Sequence, residues 1–344
     1  MNGISCDRAR SRHVWFVAWV TVSMCIAWSV QASAWVGGAS TPGVDDLALN
    51  QAQMVGTHNS YHVATTPSPT RADTKAPLAE QFDFQGVRHI ELDVYDWAGQ
   101  WRVLHTPITD QGSTCPTLAA CLSQVAGWSH AHPDHDPIVI FIDPKYDEIF
   151  NRLLPMNDDD VSRLDHVVAD ALGRERIMTP AELRAGHATL QQRIDGSGWP
   201  RLGELRGRFL VVVNDDSFVQ RSVLGHQHDG VLLASSQDPS RWGGDVVFAE
   251  VEQPGEQERI AAALNAHMMV RTFADTDLVE VRAGDGRRAE RAFASGAQLI
   301  VTDQPADSRA DRPNSLPGGY GVVTSSGQPI ACNPVVADPQ RCSR

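Results

Sequence analysis

The residues best equipped for chemistry lie in three short stretches: Gly56-Thr57-His58-Asn59-Ser60-Tyr61, Glu91-Leu92-Asp93, and His105. Together they offer two imidazoles, an amide and two carboxylates. Apolar and polar residues alternate over 87–95, so Ile90, Leu92 and Val94 share one face of a strand and His89, Glu91, Asp93 and Tyr95 the other. Two carboxylates on one strand face stand about 7 Å apart at Cα, near enough for their side chains to converge on one cation. Without positive charge between them they repel. A fourth stretch, Ile138-Val139-Ile140-Phe141-Ile142-Asp143-Pro144-Lys145, is the continuous apolar run of a strand covered on both sides, and it too ends in a carboxylate. Asn59, Glu91, Asp93 and Asp143 make an all-oxygen ligand set that suits Ca2+ or Mg2+. His58 and His105 are then free to move protons. One would accept from an attacking oxygen and the other protonate a leaving oxygen, as in-line displacement at a metal-bound phosphate requires.

To gather these residues the chain must set several strand ends side by side. Candidate strands at 52–58, 88–95, 102–105, 138–143, 208–214, 246–251, 268–273 and 298–302 alternate with amphipathic segments at 118–128, 158–172, 257–266 and 286–294. A further run at 231–234 reads as an extra strand or a packed loop. Pro180-Ala181-Glu182-Leu183 reads as a helix start with Pro at its first position, and Asp158-Asp159-Asp160 as an acidic helix start. Eight strands alternating with helices predict parallel β/α units closed by right-handed crossovers, an α/β TIM-type (β/α)8 barrel. An open doubly wound sheet is the other arrangement, and no Gly-x-Gly-x-x-Gly follows any strand to support it. In a barrel, His58/Asn59, Glu91/Asp93, His105, Asp143 with Lys145, Asn214, Arg271 and Asp303 would all open on the face where active sites are built. The expected organisation is a flexible lead-in at 35–48, one catalytic barrel at 49–306, and a tail at 307–344 packed on the barrel.

The formal charge of −13 over 344 residues, with no Lys/Arg cluster after residue 40, argues against nucleic acid as a partner and against tight docking on anionic membranes. Arg8, Arg10 and Arg12 precede an apolar run at 14–30 and the small-x-small Ala32-Ser33-Ala34, the pattern of a secretory signal peptide at 1–34. An uncleaved anchor is the alternative, but a helix over 14–30 would span only about 26 Å against a hydrocarbon core of ~30 Å. Export leaves four cysteines, Cys115, Cys121, Cys332 and Cys342, which permit three pairings. Local pairs, Cys115–Cys121 and Cys332–Cys342, are the simplest. Zinc is the competing reading, without Cys-x2-Cys spacing to support it. The expected protein is exported, extracellular or periplasmic, and monomeric.

Gly56-Thr57-His58-Asn59-Ser60-Tyr61, Ile90-Glu91-Leu92-Asp93 and His105 resemble the catalytic domains of phosphoinositide-specific phospholipases C, most of all their calcium-dependent bacterial branch. Val270-Arg271-Thr272-Phe273-Ala274-Asp275 and Ala294-Ser295-Gly296-Ala297-Gln298-Leu299-Ile300-Val301-Thr302-Asp303 are similar to that branch as well. The resemblance implies a TIM-type barrel that cleaves phosphatidylinositol with one Ca2+ at a transient membrane contact. Asn59, Glu91, Asp93 and Asp143 would hold the metal. His58 would stabilise the phosphorane or act on the inositol 2-hydroxyl, and His105 would protonate the diacylglycerol oxygen. A cyclic phosphodiester would form and then be opened by water. Lys145, Asn214 and Arg271 are candidate substrate contacts, with a barrel salt bridge as the other reading of Arg271. The chain departs from the animal enzymes, whose fifth strand carries lysines for ring phosphates; Leu210-Val211-Val212-Val213-Asn214 has none, which favours plain phosphatidylinositol or another phosphodiester.

Two other functions fit the same layout. A glycerophosphodiester phosphodiesterase also uses Glu-x-Asp and two histidines on a barrel, but carries His-Arg where this chain has His58-Asn59. A secreted lipid- or sugar-binding barrel without turnover would not need both histidines and every carboxylate. Other polar residues read as structural: His89 as a core hydrogen-bonder, and His130, His132, His135, His226 and His228 as parts of solvated loops. Glu250 and Glu252 are outside candidates for a metal or substrate contact. The tryptophans Trp97, Trp101, Trp128, Trp199 and Trp242 read mainly as packing, with a lipid-facing rim as the alternative.

Overall fold

The apolar runs become the staves of a closed cylinder. The computed structural model describes residues 40–65, 71–145, 156–309 and 319–342. Among these, the strands are β1 (Ala52–Thr57), β2 (His89–Trp97), β3 (Gln100–Val103), β4 (Ile138–Pro144), β5 (Phe209–Asn214), β6 (Leu232–Ser236), β7 (Val246–Glu250), β8 (Met269–Phe273), β9 (Leu299–Thr302) and β10 (Ile330–Cys332). Eight of them pair in parallel in the order β1, β2, β4, β5, β6, β7, β8, β9, and β9 returns to β1. The ring is the expected (β/α)8 barrel. The segments 1–39 and 310–318, on which the signal-peptide reading and part of the tail fall, lie outside the described residues. No helix among the described residues is long and apolar enough to cross a membrane.

The membership of the ring corrects one expectation. The run ending at His105 is not a barrel strand: β3 pairs antiparallel with β2 outside the ring. Only Ala98 and Gly99 separate the two strands, both with positive φ (51° and 84°). That is a hairpin turn, and a parallel crossover needs a dozen residues or more. The eighth stave is β6, the short run read as an extra strand or a loop. His105 therefore reaches the barrel mouth from the loop after a hairpin. The lead-in, expected to be flexible, is anchored from Thr41 onward: Thr41, Val44 and Leu47 are buried, and Thr41 Oγ1 donates to Asp136 at 2.7 Å.

Strand parity decides what faces the lumen. Ile90, Leu92 and Val94 of β2 pack outward with Leu118, Leu122 and Val125 of the helix Leu118–Ala131. On β4 and β5 the opposite parity packs Val139, Phe141, Leu210 and Val212 into a second apolar cluster with Leu233 of β6, the plug of the barrel. The same parity carries Asp143 and Asn214 to the mouth above that plug. Gly56 of β1 stands opposite His89 in the register, and a Cβ there would lie 2.3 Å from the His89 ring. Glycine is what lets that imidazole lie inside the barrel wall.

The helices start where the sequence marks them. Asn157 caps Asp158–Leu172 by accepting from the backbone N–H groups of Asp159 and Asp160, and Asp160 reciprocates. Thr179 caps Pro180–Arg184, with Pro180 in the first turn. Both local disulfides are formed, Cys115–Cys121 and Cys332–Cys342. The tail returns to the barrel as β10, antiparallel to the first half of β1. One loop reading fails: His135 is fully buried, held between Ser129 Oγ (2.6 Å) and the Asp136 carbonyl (2.6 Å).

Candidate active site

Asp93 and Asp143 are register partners on the adjacent parallel strands β2 and β4, and Glu91 lies one layer deeper on the same face as Asp93. One oxygen from each of the three carboxylates falls within 4.8 Å of the others. Lys145 reaches back over the pair, with Nζ 2.5 Å from Asp143 Oδ2 and 3.3 Å from Asp93 Oδ1. Asp93 is only 1% exposed, and the Lys145 ammonium is its ion-pair partner there. Burial and the neighbouring carboxylates push Asp143 up to about 7 against the pull of Lys145. Burial raises Asp93 in the same way.

Glu91 behaves differently because Arg271 lies beneath it. Burial alone would raise Glu91, but the Arg271 guanidinium, with Nη2 2.7 Å from Oε2, holds it down at about 2. Arg271 also bonds Glu250 through Nη1 and donates from Nε to His89 Nε2 at 3.1 Å. The Phe141 and Phe273 rings lie 5.0 and 4.8 Å from its guanidinium carbon. His89 donates from Nδ1 to the Val139 carbonyl (3.0 Å), and burial with Arg271 holds its proton affinity down at about 3. It is the expected core hydrogen-bonder. Arg271 thus forms the floor of the site, committed to two carboxylates.

Asn59 has positive φ (46°) and turns the chain off the end of β1. Its backbone N–H points at Glu91 Oε2 (3.3 Å), its Oδ1 accepts from the Tyr61 hydroxyl (3.2 Å), and its Nδ2 meets His58 Nε2 (3.2 Å). The other nitrogen of His58, Nδ1, lies 2.8 Å from Asp303 Oδ1. In the neutral ring, Nδ1–H to the carboxylate leaves the Nε2 lone pair directed toward Asn59. Burial would lower the proton affinity of His58, but Asp303 outweighs it and raises the pKa to about 9. The pairing follows from closure of the ring: Thr57 and Thr302 are register partners, so His58 and Asp303 are the next residues up on neighbouring strands.

His105 is partly exposed, with Nδ1 3.3 Å from Asp110 Oδ2 and 3.1 Å from Thr106 Oγ1. Desolvation and Arg71 lower its pKa to about 4. His58 and His105 line one small cleft of ≈ 50 Å³ together with Asn59 and Asp303. His58 also borders a larger pocket of ≈ 330 Å³ lined by Glu91, Asp143, Lys145, Asn214, Gln237, Glu250, Glu252, Arg271, Phe273, Thr276 and Asp277. His58 and Asp277 are common to both walls.

Residues 97–334, more than half of the chain, match the profile of the family described as phosphoinositide phospholipase C, Ca2+-dependent. The chain belongs to that family. No curated protein sequence matches it. The barrel is similar to a calcium-dependent phosphoinositol-specific phospholipase C from the Gram-negative Pseudomonas sp (TM-score 0.62, 18% identity), covering 86% of this chain and 99% of that one. It is also similar to a Ca2+-dependent phosphatidylinositol-specific phospholipase C from Streptomyces antibioticus (TM-score 0.56, 19% identity), covering 74% of this chain and 94% of that one. At these identities the two structures speak to fold. The matched profile includes His105 and Asp143 and begins after Asp93, so the first half of the site rests on its geometry.

That geometry fits the calcium on which the phospholipase C family depends. Glu91, Asp93, Asp143 and Glu250 face Lys145 and Arg271, an excess of carboxylate over fixed cation that a divalent ion would offset. Asp93 is buried between Glu91 and Asp143, so that three carboxylate oxygens meet at one point, as ligands of a hard cation would. The sequence-expected residues His58, Asn59, Glu91, Asp93, Asp143, Lys145, Asn214 and Arg271 come together around adjoining walls, with His105 across the smaller cleft. Asp303 as the partner of His58 was not expected. Its signal was a carboxylate closing β9, a strand that must neighbour β1 in any closed ring.

Proposed function

We propose that this chain is an exported phosphatidylinositol phospholipase C that releases diacylglycerol and inositol phosphate, the latter first as a cyclic phosphodiester. The observation that carries the reading is the convergence of Glu91, Asp93 and Asp143 within 4.8 Å in a pocket walled by His58. Asn59, Glu91, Asp93 and Asp143 would hold Ca2+, which when bound supplies positive charge to the phosphate oxygens and lowers the proton affinity of the neighbouring His58.

His58 takes the proton of the inositol 2-hydroxyl at Nε2, while Asp303 keeps Nδ1–H in place and stabilises the imidazolium that forms. The hydroxyl oxygen bonds to phosphorus as the bond from phosphorus to the glycerol oxygen breaks. His105 gives its proton to that oxygen, and the negative charge of the bound phosphodiester raises its otherwise low proton affinity. Water then opens the cyclic product with the two histidines exchanging roles. Asn214 and Gln237 offer hydrogen bonds to ring hydroxyls. Glu250, Glu252 and Asp277 on the same pocket wall disfavour extra ring phosphates, so unphosphorylated phosphatidylinositol is the proposed substrate.

Export is supported by the leader-like N-terminus and the two disulfides. The protein is proposed to act as a monomer at a membrane surface. Among the described residues, Trp97 (50% exposed), Ile108 (83%) and Val279 (64%) are exposed apolar side chains on segments at the mouth side of the barrel. The first two flank the β2–β3 hairpin and His105, and the third follows Asp277. Trp101, Trp128 and Trp199 are buried packing residues.

Incubating the mature protein with a panel of phospholipids, with Ca2+ or with chelator, and identifying products by mass tests the reading. Diacylglycerol and inositol phosphate from phosphatidylinositol, formed only with Ca2+, support it. Cleavage of deacylated glycerophosphodiesters alone would assign the chain the glycerophosphodiesterase chemistry instead, and binding without any product would make it a lipid-binding barrel.

A further inference from the structure

His58 and His105 stand on different segments of the rim, yet one chain of largely buried polar contacts joins them along the wall of the cleft. From His105 Nδ1 it passes to Asp110 Oδ2 (3.3 Å), and from Asp110 Oδ1 to His62 Nε2 (3.0 Å). His62 Nδ1 meets the Asp73 carbonyl (2.9 Å), and Asp73 Oδ2 meets Lys75 Nζ (2.6 Å). Lys75 Nζ continues to the Asp303 carbonyl (2.6 Å) and carboxylate (3.5 Å), and Asp303 Oδ1 ends at His58 Nδ1 (2.8 Å). His62 and Asp110 are each 3% exposed and Lys75 is 7% exposed.

We propose that His62, Asp73, Lys75 and Asp110 are positioning residues that form a belt fixing the separation and ring orientation of the two catalytic histidines.

Each ring nitrogen of His62 faces an oxygen partner, so the ring is pinned on both sides and cannot turn without losing a contact in a dry environment. Lys75 is held by two carboxylates and a carbonyl, which suits an ammonium with three donors. Carboxylates alternate along the belt with imidazoles and the Lys75 ammonium, so each buried carboxylate has a hydrogen-bonding or oppositely charged neighbour. The backbone ties the same segments together. His62 N donates to Asn59 O (2.9 Å), Lys75 N to His62 O (2.9 Å), and Thr106 and Asp110 exchange two backbone bonds that close the loop carrying His105. A displacement of either histidine therefore has to break contacts in a segment far from it in sequence. Proton transfer at two points of one phosphodiester needs that fixed spacing, because displacement by about 1 Å costs on the order of 10²-fold in rate.

The inference rests on the phospholipase reading for its kinetic readout, and a second readout is independent of activity. Asp110→Asn in the full chain is expected to lower kcat on phosphatidylinositol on the order of 10²-fold with KM nearly unchanged, since Asp110 acts through the His105 ring it holds. His105 titration followed by NMR should shift to lower pH in Asp110→Asn. Asp110 favours the protonated ring, while Arg71, Lys145 and His58 oppose it. Asp110→Glu, which keeps the charge, should restore part of kcat and most of the titration. Should Asp110→Asn fail to fold, His62→Gln carries the same test, because its amide can donate to Asp110 but cannot also reach Asp73; lowered kcat at unchanged KM is again expected. Wild-type kcat and an unmoved His105 titration in the folded variant would overturn the belt. A wild-type protein inactive on phosphatidylinositol would instead overturn the phospholipase reading.

Discussion

Asp93 and Asp143 stand side by side as register partners on β2 and β4, with the Lys145 ammonium 3.3 and 2.5 Å from their carboxylates. Burial and mutual repulsion push Asp143 up to about 7. A carboxyl whose pKa is raised on folding binds its proton more tightly in the native state, so its contribution to stability falls as pH rises from about 4 to about 7. The melting temperature of metal-free protein is accordingly expected to carry a downward component across that window, absent in Asp143→Asn. Calcium should remove the drop by binding the ionised form. Identical pH–Tm curves for wild type and Asp143→Asn in chelator would contradict the assignment.

The two histidines should titrate far apart in metal-free protein. NMR should find His58 near 9, held up by Asp303, and His105 near 4, held down by desolvation and Arg71. Asp303→Asn removes the charge that favours the His58 imidazolium and should move its midpoint downward. Adding Ca2+ should move it in the same direction, because the ion neutralises Glu91, whose charge also supports it. A His58 midpoint indifferent to both changes would separate it from Asp303 and from the metal.

Arg271 is fully buried between Glu91 and Glu250. Arg271→Ala leaves two carboxylates without their cation, and denaturant unfolding should show a loss of about 3–5 kcal/mol. Arg271→Lys, unable to span both carboxylates and His89 at once, should fall between. A fully stable Arg271→Ala that has lost only substrate affinity would make the residue a substrate contact instead of the floor.

The exposed rim makes a prediction about surfaces alone. Trp97→Ala combined with Ile108→Ala should cut hydrolysis of phosphatidylinositol in vesicles by on the order of 10- to 100-fold, since each side chain contributes about 1.5–3 kcal/mol when fully buried and inserts only in part. Hydrolysis of a monomeric short-chain substrate should be unaffected. Equal losses on both substrates would assign these residues to folding or to the pocket.

Much of the site was readable because strand parity is local. Alternation over His89–Tyr95 puts Glu91 and Asp93 on one face whatever the partner strand, and the apolar run before Asp143 marks a strand end without knowledge of its neighbours. The capping of Asp158–Leu172 is equally local. The failures are non-local. His105 was assigned to a barrel strand because a four-residue stave and a hairpin arm look alike until the two-residue turn at Ala98-Gly99 is weighed. Asp303 lacked a role because its pairing with His58 exists only once β9 meets β1 across the ring closure. His135 was taken for a loop residue because its polar neighbours hide a buried bond to Ser129. Arg271 could be a ligand contact or a salt bridge until the lumen was filled.

The central claim is that Asn59, Glu91, Asp93 and Asp143 hold one calcium ion. Calorimetric titration of Ca2+ into the chelator-treated mature protein tests it most directly. The account predicts a single saturable site in the wild type that is lost or greatly weakened in Asp93→Asn, which takes one carboxylate out of the cluster. Undiminished binding in folded Asp93→Asn, or no binding to the wild type, would contradict it.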